Sequence, residues 1–143
     1  MKTAELAEPL QTKLSNGKDT IIRFDEGLIG LADCKYFVIG ENNNLKPFRL
    51  LECTGSRQIS FVVLDPTVRV RDYYDQIPAR EWESIGVTDP KNRLAFVIVN
   101  IGLSAHDSTA NFQAPLLVNV ESMSGRQVIL TDSGFCLRTP LLG

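Results

Sequence analysis

Short apolar runs alternate with turn-prone polar clusters along most of the chain, and their lengths suit strands better than helices. Leu10 to Leu14 and Thr20 to Phe24 flank Ser15-Asn16-Gly17-Lys18. Asn-Gly tolerates positive φ at both central turn positions, so this stretch predicts a hairpin. Tyr36 to Ile39, Phe48 to Cys53 and Ile59 to Leu64 follow, divided by Gly40-Glu41-Asn42-Asn43-Asn44 and by Thr54-Gly55-Ser56. Thr67-Val68-Arg69-Val70-Arg71 alternates strictly, which predicts a strand with its valines on one face and its arginines on a wet one. Leu94 to Ile101 is apolar at nearly every position and β-branched at four, the pattern of a central strand covered on both faces. Pro115 to Val120 and Gln127 to Leu130 complete the set, with Ser124-Gly125 as the expected turn between them. A proline at the first residue of a strand loses little of the ladder.

One segment has helical spacing. Ala79, Trp82 and Ile85 share a face, Pro78 suits the first turn, and Gly86 suits the position after the last. The pattern therefore predicts a mainly β fold: one domain over 1–143, with 1–8 as a flexible lead, built as a small barrel-like antiparallel or mixed sheet with one short helix at about 78–85.

Composition agrees with a packed core. Hydrophobic residues are 43% and charged residues 22% of 143, the balance of an ordinary globular protein that folds without a staple. Fifteen Lys and Arg against seventeen Asp and Glu give a formal charge of −2, and the basic residues are scattered. Direct binding to nucleic acid, which needs a basic face, is disfavoured. The apolar runs fall far short of the roughly 20 residues a membrane helix needs. Glu5 and Glu8 interrupt the place where a secretory signal would have its apolar core, so the expected compartment is the cytoplasm. Cys34, Cys53 and Cys136 are odd in number and lack a C-x-x-C pair. That argues against a disulfide framework and for buried thiols in a reducing compartment.

Candidate chemistry is thin. His106-Asp107-Ser108 holds the three residue types of a hydrolase triad, but neighbouring side chains on an extended loop diverge and do not form the required relay. The cysteines and His106 lack the close pairs of a structural zinc site. Gly27-Leu28-Ile29-Gly30 has the form of a GxxG clamp without basic surroundings and reads as a turn. No dinucleotide or P-loop motif is present, and no cofactor is expected. From Asp72 to Asp89 five acids stand against the single Arg80, about −4 by ordinary ionisation. Tyr73, Tyr74 and Trp82 lie among them, and aromatics rimmed by charge are favoured at protein interfaces. Asp72, Tyr73, Tyr74, Glu81, Trp82 and Glu83 are accordingly the candidate partner surface, set against a plain solvated acidic face.

Several segments, read in order, resemble the FliW family of flagellar assembly factors. They are Phe24-Asp25-Glu26-Gly27-Leu28-Ile29-Gly30-Leu31, Phe48 to Glu52, Phe61 to Pro66, Asp72-Tyr73, Thr109 to Asn119, and Gly125 to Leu130. Ile29 stands where the family often has proline and Phe112 where it has leucine. The resemblance implies a noncatalytic cytoplasmic protein that binds flagellin and the RNA-binding translational regulator CsrA, with no cofactor, no direct contact to nucleic acid and no membrane. In that scheme CsrA is kept from flagellin messenger RNA until free flagellin takes the antagonist up. The Thr109 to Pro115 signature reads first as a turn entering a strand, its Asn111 and Gln113 being further candidates for partner contact. Leu141 in the apolar tail is another, because it follows a proline and need not be buried. Two rival readings remain: a small-ligand-binding β-barrel, and a small hydrolase using the His106 loop.

Overall fold

Backbone pairing between the first and last members of a strand series closes most of this chain's strands into a ring. The computed structural model describes residues 20–40, 46–55, 58–131 and 133–141. β1 (Thr20–Phe24), β2 (Tyr36–Gly40), β3 (Phe48–Cys53) and β4 (Ser60–Leu64) form an antiparallel meander. β5 (Arg93–Asn100) pairs with β4 through Val62–Val99 and Leu64–Val97, and its first half pairs with β7 (Leu116–Asn119). β8 (Ser124–Gln127) lies antiparallel to β7 and parallel to β1. The ring β4-β3-β2-β1-β8-β7-β5 is therefore a closed, mixed, seven-stranded barrel. Beyond it, β6 (Thr109–Ala110) pairs with the second half of β5, and β9 (Thr139–Pro140) with β6.

Inward residues fill the barrel: Ile22, Phe24, Phe37, Ile39, Leu51, Val63, Leu94, Phe96, Leu116 and Val118 form one buried cluster. The intervening residues Leu64, Ala95, Val97, Val99 and Leu117 belong to a second cluster outside it, with Tyr73, Tyr74, Trp82 and Phe112. Leu94 to Val99 is apolar throughout because it serves both cores, but the two-faced cover expected as far as Ile101 stops short: β5 ends at Asn100, and Asn100 and Ile101 are exposed. Gly125 marks the tightest crossing. A Cβ there would overlap the Leu117 carbonyl oxygen and lie 2.9 Å from Phe24 Cε1.

The structure also corrects several expected elements. Residues 67–71 are not a strand: Pro66–Val68 is a 3₁₀ turn capped by Asp65, whose carboxylate accepts from Thr67 N at 3.0 Å and Thr67 Oγ1 at 2.8 Å. A second short helix follows, α1 (Tyr73–Gln76), a single turn too short to leave a periodic signal. The expected helix is α2 (Ala79–Glu83), ended by Gly86 at φ +82°. The last barrel strand begins at Ser124 rather than Gln127. The turn before it uses Met123 at φ +52°, which frees Gly125 for the close crossing. Finally, Cys34 and Cys53 are joined in a disulfide and Cys136 is exposed, so the reading of three buried thiols is wrong. Spacing does not reveal that the 25–35 loop folds back onto the end of β3. The expected strand Leu10 to Leu14, its Asn-Gly turn and the 1–8 lead lie outside the described residues. Among the described residues no helix is long and apolar enough to cross a membrane.

Asp65 anchors the junction of the two layers. Besides Thr67 it accepts from the Tyr74 hydroxyl at 3.1 Å, and that hydroxyl accepts from Ala95 N at 2.9 Å. Burial pushes the Asp65 carboxyl above its ordinary value, against the opposing pull of its hydrogen bonds and of Arg49. A raised folded-state value favours folding while the group is protonated. That contribution is complete below the unfolded value of about 4 and is lost as pH rises through the folded one. Urea unfolding from pH 3.5 upward should thus show the stability of the protein relative to its Asp65→Asn variant falling and then levelling. A constant difference would show that Asp65 is not raised.

Candidate protein-binding surface

The signature segment is an insertion in a hairpin. Residues 109–119 run antiparallel along one edge of β5, with Ala110 opposite Val99 and Leu116 opposite Phe96. Five residues, 111–115, therefore face only Val97 and Ile98, and the surplus bulges away from the ladder. Asn111 shapes the bulge. Its N–H donates to Ile98 O at 2.9 Å, and its Oδ1 accepts from Gln113 N at 3.1 Å and Ala114 N at 3.0 Å. Phe112 is driven into the outer core, where its ring lies edge-on to Tyr73 at 5.5 Å and its carbonyl accepts from the Tyr73 hydroxyl.

Gln127 then ties this bulge to the barrel mouth. Its Nε2 donates to Ala114 O at 3.0 Å, while its Oε1 accepts from Ile29 N at 2.8 Å. Ile29 belongs to the 25–35 loop, which turns at Gly27 (φ +67°) and Gly30 (φ +85°). A Cβ at Gly27 would lie 2.5 Å from Leu31 O, so the GxxG motif is a tight turn that needs its first glycine. Between loop and bulge opens a hollow of about 350 Å³, floored by Leu28, Phe61 and Ile98 and edged by Asn111 and Gln113. Ile29, Ile129 and Leu137 stand around it, each more than half exposed.

A larger hollow, about 590 Å³, lies on the outer layer between Phe48, Leu64, Val68, Ile101, Leu103 and Leu141. Leu103 is fully exposed, Ile101 more than half and Val68 half. Its one charged lining residue, Arg69, donates to Pro140 O at 3.4 Å. Leu141 is half-buried against the outer core and forms one wall. Clustered exposed aliphatics around an apolar hollow mark a contact surface for a protein, a membrane or an apolar ligand.

The aromatic part of the expected acidic surface is not on the surface. Tyr73 is 0%, Tyr74 6% and Trp82 4% exposed. Their rings hold α1 and α2 to the barrel: Trp82 Nε1 donates to Tyr74 O at 3.3 Å, and the Arg93 guanidinium lies 5.8 Å from the Tyr74 ring and 5.7 Å from that of Trp82. Burial pushes both tyrosine hydroxyls well above their ordinary value. Several acids have internal partners too. Arg93 meets Asp75 at 3.1 Å, and Arg126 meets Glu81 at 3.6 Å. Asp72 and Glu83 remain exposed.

The His106 loop is held as structure. Ser108 is buried, its Oγ donating to Ser104 O at 3.3 Å and accepting from Gly102 N at 3.1 Å, while Asp107 accepts from Ser104 Oγ at 3.2 Å. Among the described residues no group of three or more His, Cys, Asp or Glu is placed to hold a metal. Neither the exposed aliphatics nor Gln127 stand out in the sequence. Ile129 sits in an apolar run whose outward face is not marked, the alternation puts Val68 on the covered face of a strand that does not form, and Gln127 lies in a segment of the family resemblance without any sign of its two contacts. Asn111→Ala should lower the stability measured by urea unfolding by about 1–3 kcal/mol, because two backbone donors lose their acceptor. Asn111→Asp, which keeps the acceptor, should stay within about 1 kcal/mol of the parent.

The comparison with known proteins agrees with the resemblance. The pattern of the FliW protein family matches residues 6–141. The flagellar assembly factor FliW of Caldanaerobacter subterraneus subsp. tengcongensis is 33% identical over 126 residues, 87% of this chain and 84% of that protein. The one from Leptospira interrogans serogroup Icterohaemorrhagiae serovar Lai is 32% identical over 131 residues, 91% and 87% of the two chains. A crystal structure of the flagellar assembly factor FliW superposes with a TM-score of 0.78 at 28% identity, covering 86% of each chain. With the barrel and the signature bulge both in place, the chain belongs to the FliW family.

Proposed function

We propose that this protein is a noncatalytic flagellar assembly factor of the bacterial cytoplasm, which binds flagellin before export and also binds CsrA. In this reading CsrA is withheld from flagellin messenger RNA until free flagellin takes this protein up, so that synthesis follows assembly. The observation that carries the reading is the outer hollow. Its lining is mostly aliphatic and its rim, Val68, Ile101 and Leu103, is exposed, which suits capture of an apolar face of another chain. Flagellin is assigned to that hollow. CsrA is assigned to the side of the molecule bearing Asp72 and Glu83, where negative charge complements a surface evolved for RNA phosphates. A ligand-binding barrel is a poorer account, because Phe24, Phe37, Phe96 and their neighbours fill the interior.

Titration calorimetry with purified flagellin and CsrA tests both assignments. Joint Ile101→Asp and Leu103→Asp substitution should weaken flagellin binding at least about tenfold, while Asp72→Lys with Glu83→Lys should weaken CsrA binding and flatten its dependence on salt. Unchanged affinities would remove those residues from the interface, and failure of the parent protein to bind either partner would overturn the function itself.

A further inference from the structure

The disulfide between Cys34 and Cys53 joins residues 19 apart in sequence, and it does so at a revealing place. Cys34 ends the loop that closes the barrel mouth, and Cys53 ends β3. Most of the loop's hydrogen bonds are to itself or to its own ends: Gly27 N to Phe24 O at 2.8 Å, Leu31 N to Leu28 O at 2.7 Å, Cys34 N to Leu31 O at 3.2 Å. Its ties to the rest of the barrel include the Leu28 and Leu31 side chains packed on the core, the bond from Ile29 N to Gln127, ion pairs of Asp25 with Arg23 at 2.7 Å and of Glu26 with Arg126 at 3.5 Å, and the disulfide. The disulfide is the one covalent tie among these, and it can be undone. Cys34 is 4% exposed, but Cys53 is half-buried and is followed by exposed Thr54 and Gly55. A Cβ at Gly55 would lie 3.9 Å from Cys53 Sγ, so the glycine leaves that approach without a side chain.

We propose that Cys34 and Cys53 form a thiol–disulfide exchange site for low-molecular-weight thiols and their disulfides, and that its state sets how firmly the 25–35 loop closes the mouth and presents Ile29. This goes beyond the proposed partners and does not depend on them. In the reducing direction a small thiolate attacks Cys53 Sγ, the bond to Cys34 breaks, and Cys34 leaves as a thiolate that takes up a proton. A second small thiolate attacks the sulfur now carried on Cys53, which releases the small disulfide and leaves the Cys53 thiol. Two electrons pass from two small thiols to the protein disulfide, and oxidation is the reverse. In a compartment where glutathione-type thiols dominate, such a pair senses redox state rather than stapling the fold.

The whole chain should be equilibrated in glutathione buffers from fully reduced to fully oxidised, its free thiols trapped by alkylation, and both thiol state and amide hydrogen exchange read by mass spectrometry. Cys34 and Cys53 are expected to change together at an intermediate ratio, while exposed Cys136 reacts independently. Amides of residues 27–34 should exchange about tenfold faster in the reduced protein, those of Leu94 to Val99 being unchanged. Cys53→Ser should show the faster exchange in every buffer. Cysteines that stay linked throughout, or stay free in the most oxidising buffer, would overturn the proposal. So would equal exchange of the loop in the two states, or loss of protection throughout β5, which would make the bond a staple of the whole fold.

Discussion

The pairing along β5 is the constraint on which the rest of this structure depends. One edge of β5 closes the barrel against β4, and the other edge is divided, its first half taken by β7 and its second by β6. A single hairpin arm could cover that whole edge only if its register ran unbroken. Instead five residues oppose two, and the excess lets β7 stay in the barrel wall while β6 and β9 start the outer layer. Asn111 makes this affordable by accepting from two N–H groups that the ladder cannot reach, and Phe112 anchors the bulge among Tyr73 and Phe135. Both hollows are products of that division: one opens beside the bulge, the other where the outer layer leaves the wall.

This geometry gives the signature segment a structural role. The Thr109 to Pro115 segment shapes surfaces and supplies only the edges of one of them, through Asn111 and Gln113. The exposed apolar side chains around the two hollows come from positions scattered over other loops, Ile29, Ile101, Leu103 and Leu137. An arrangement of that kind can hold the shape of the site fixed while its rim changes to fit a partner.

Legibility in the sequence follows from the same physics. β2, β3, β4 and β5 are readable because each is a run of apolar, β-branched or aromatic residues between turn residues, and β5 also because both its faces are covered. The alternation of Thr67 to Arg71 misleads because Pro66 and the Asp65 cap fix a 3₁₀ turn locally, and of its two valines only Val70 packs against the outer core. Tyr73, Tyr74 and Trp82 look like interface aromatics for want of any sequence signal for a second core. They face inward because a barrel wall apolar on both sides needs a cover. The pairing of Cys34 with Cys53 depends on the path of one loop, which spacing does not encode. Exposed Leu103 is invisible for a related reason, since an apolar residue in a loop announces nothing until its neighbours are known, and Ile101 misleads because nothing in its apolar run marks where the strand pairing stops.

The central claim is that the outer hollow is where another protein chain docks. Amide hydrogen exchange of the whole chain, alone and saturated with purified flagellin, tests it most directly. The account predicts slowed exchange at 101–104 and around Val68, the rim of that hollow, with the buried strands unaffected. Binding that leaves those amides unchanged and protects a different face would contradict it.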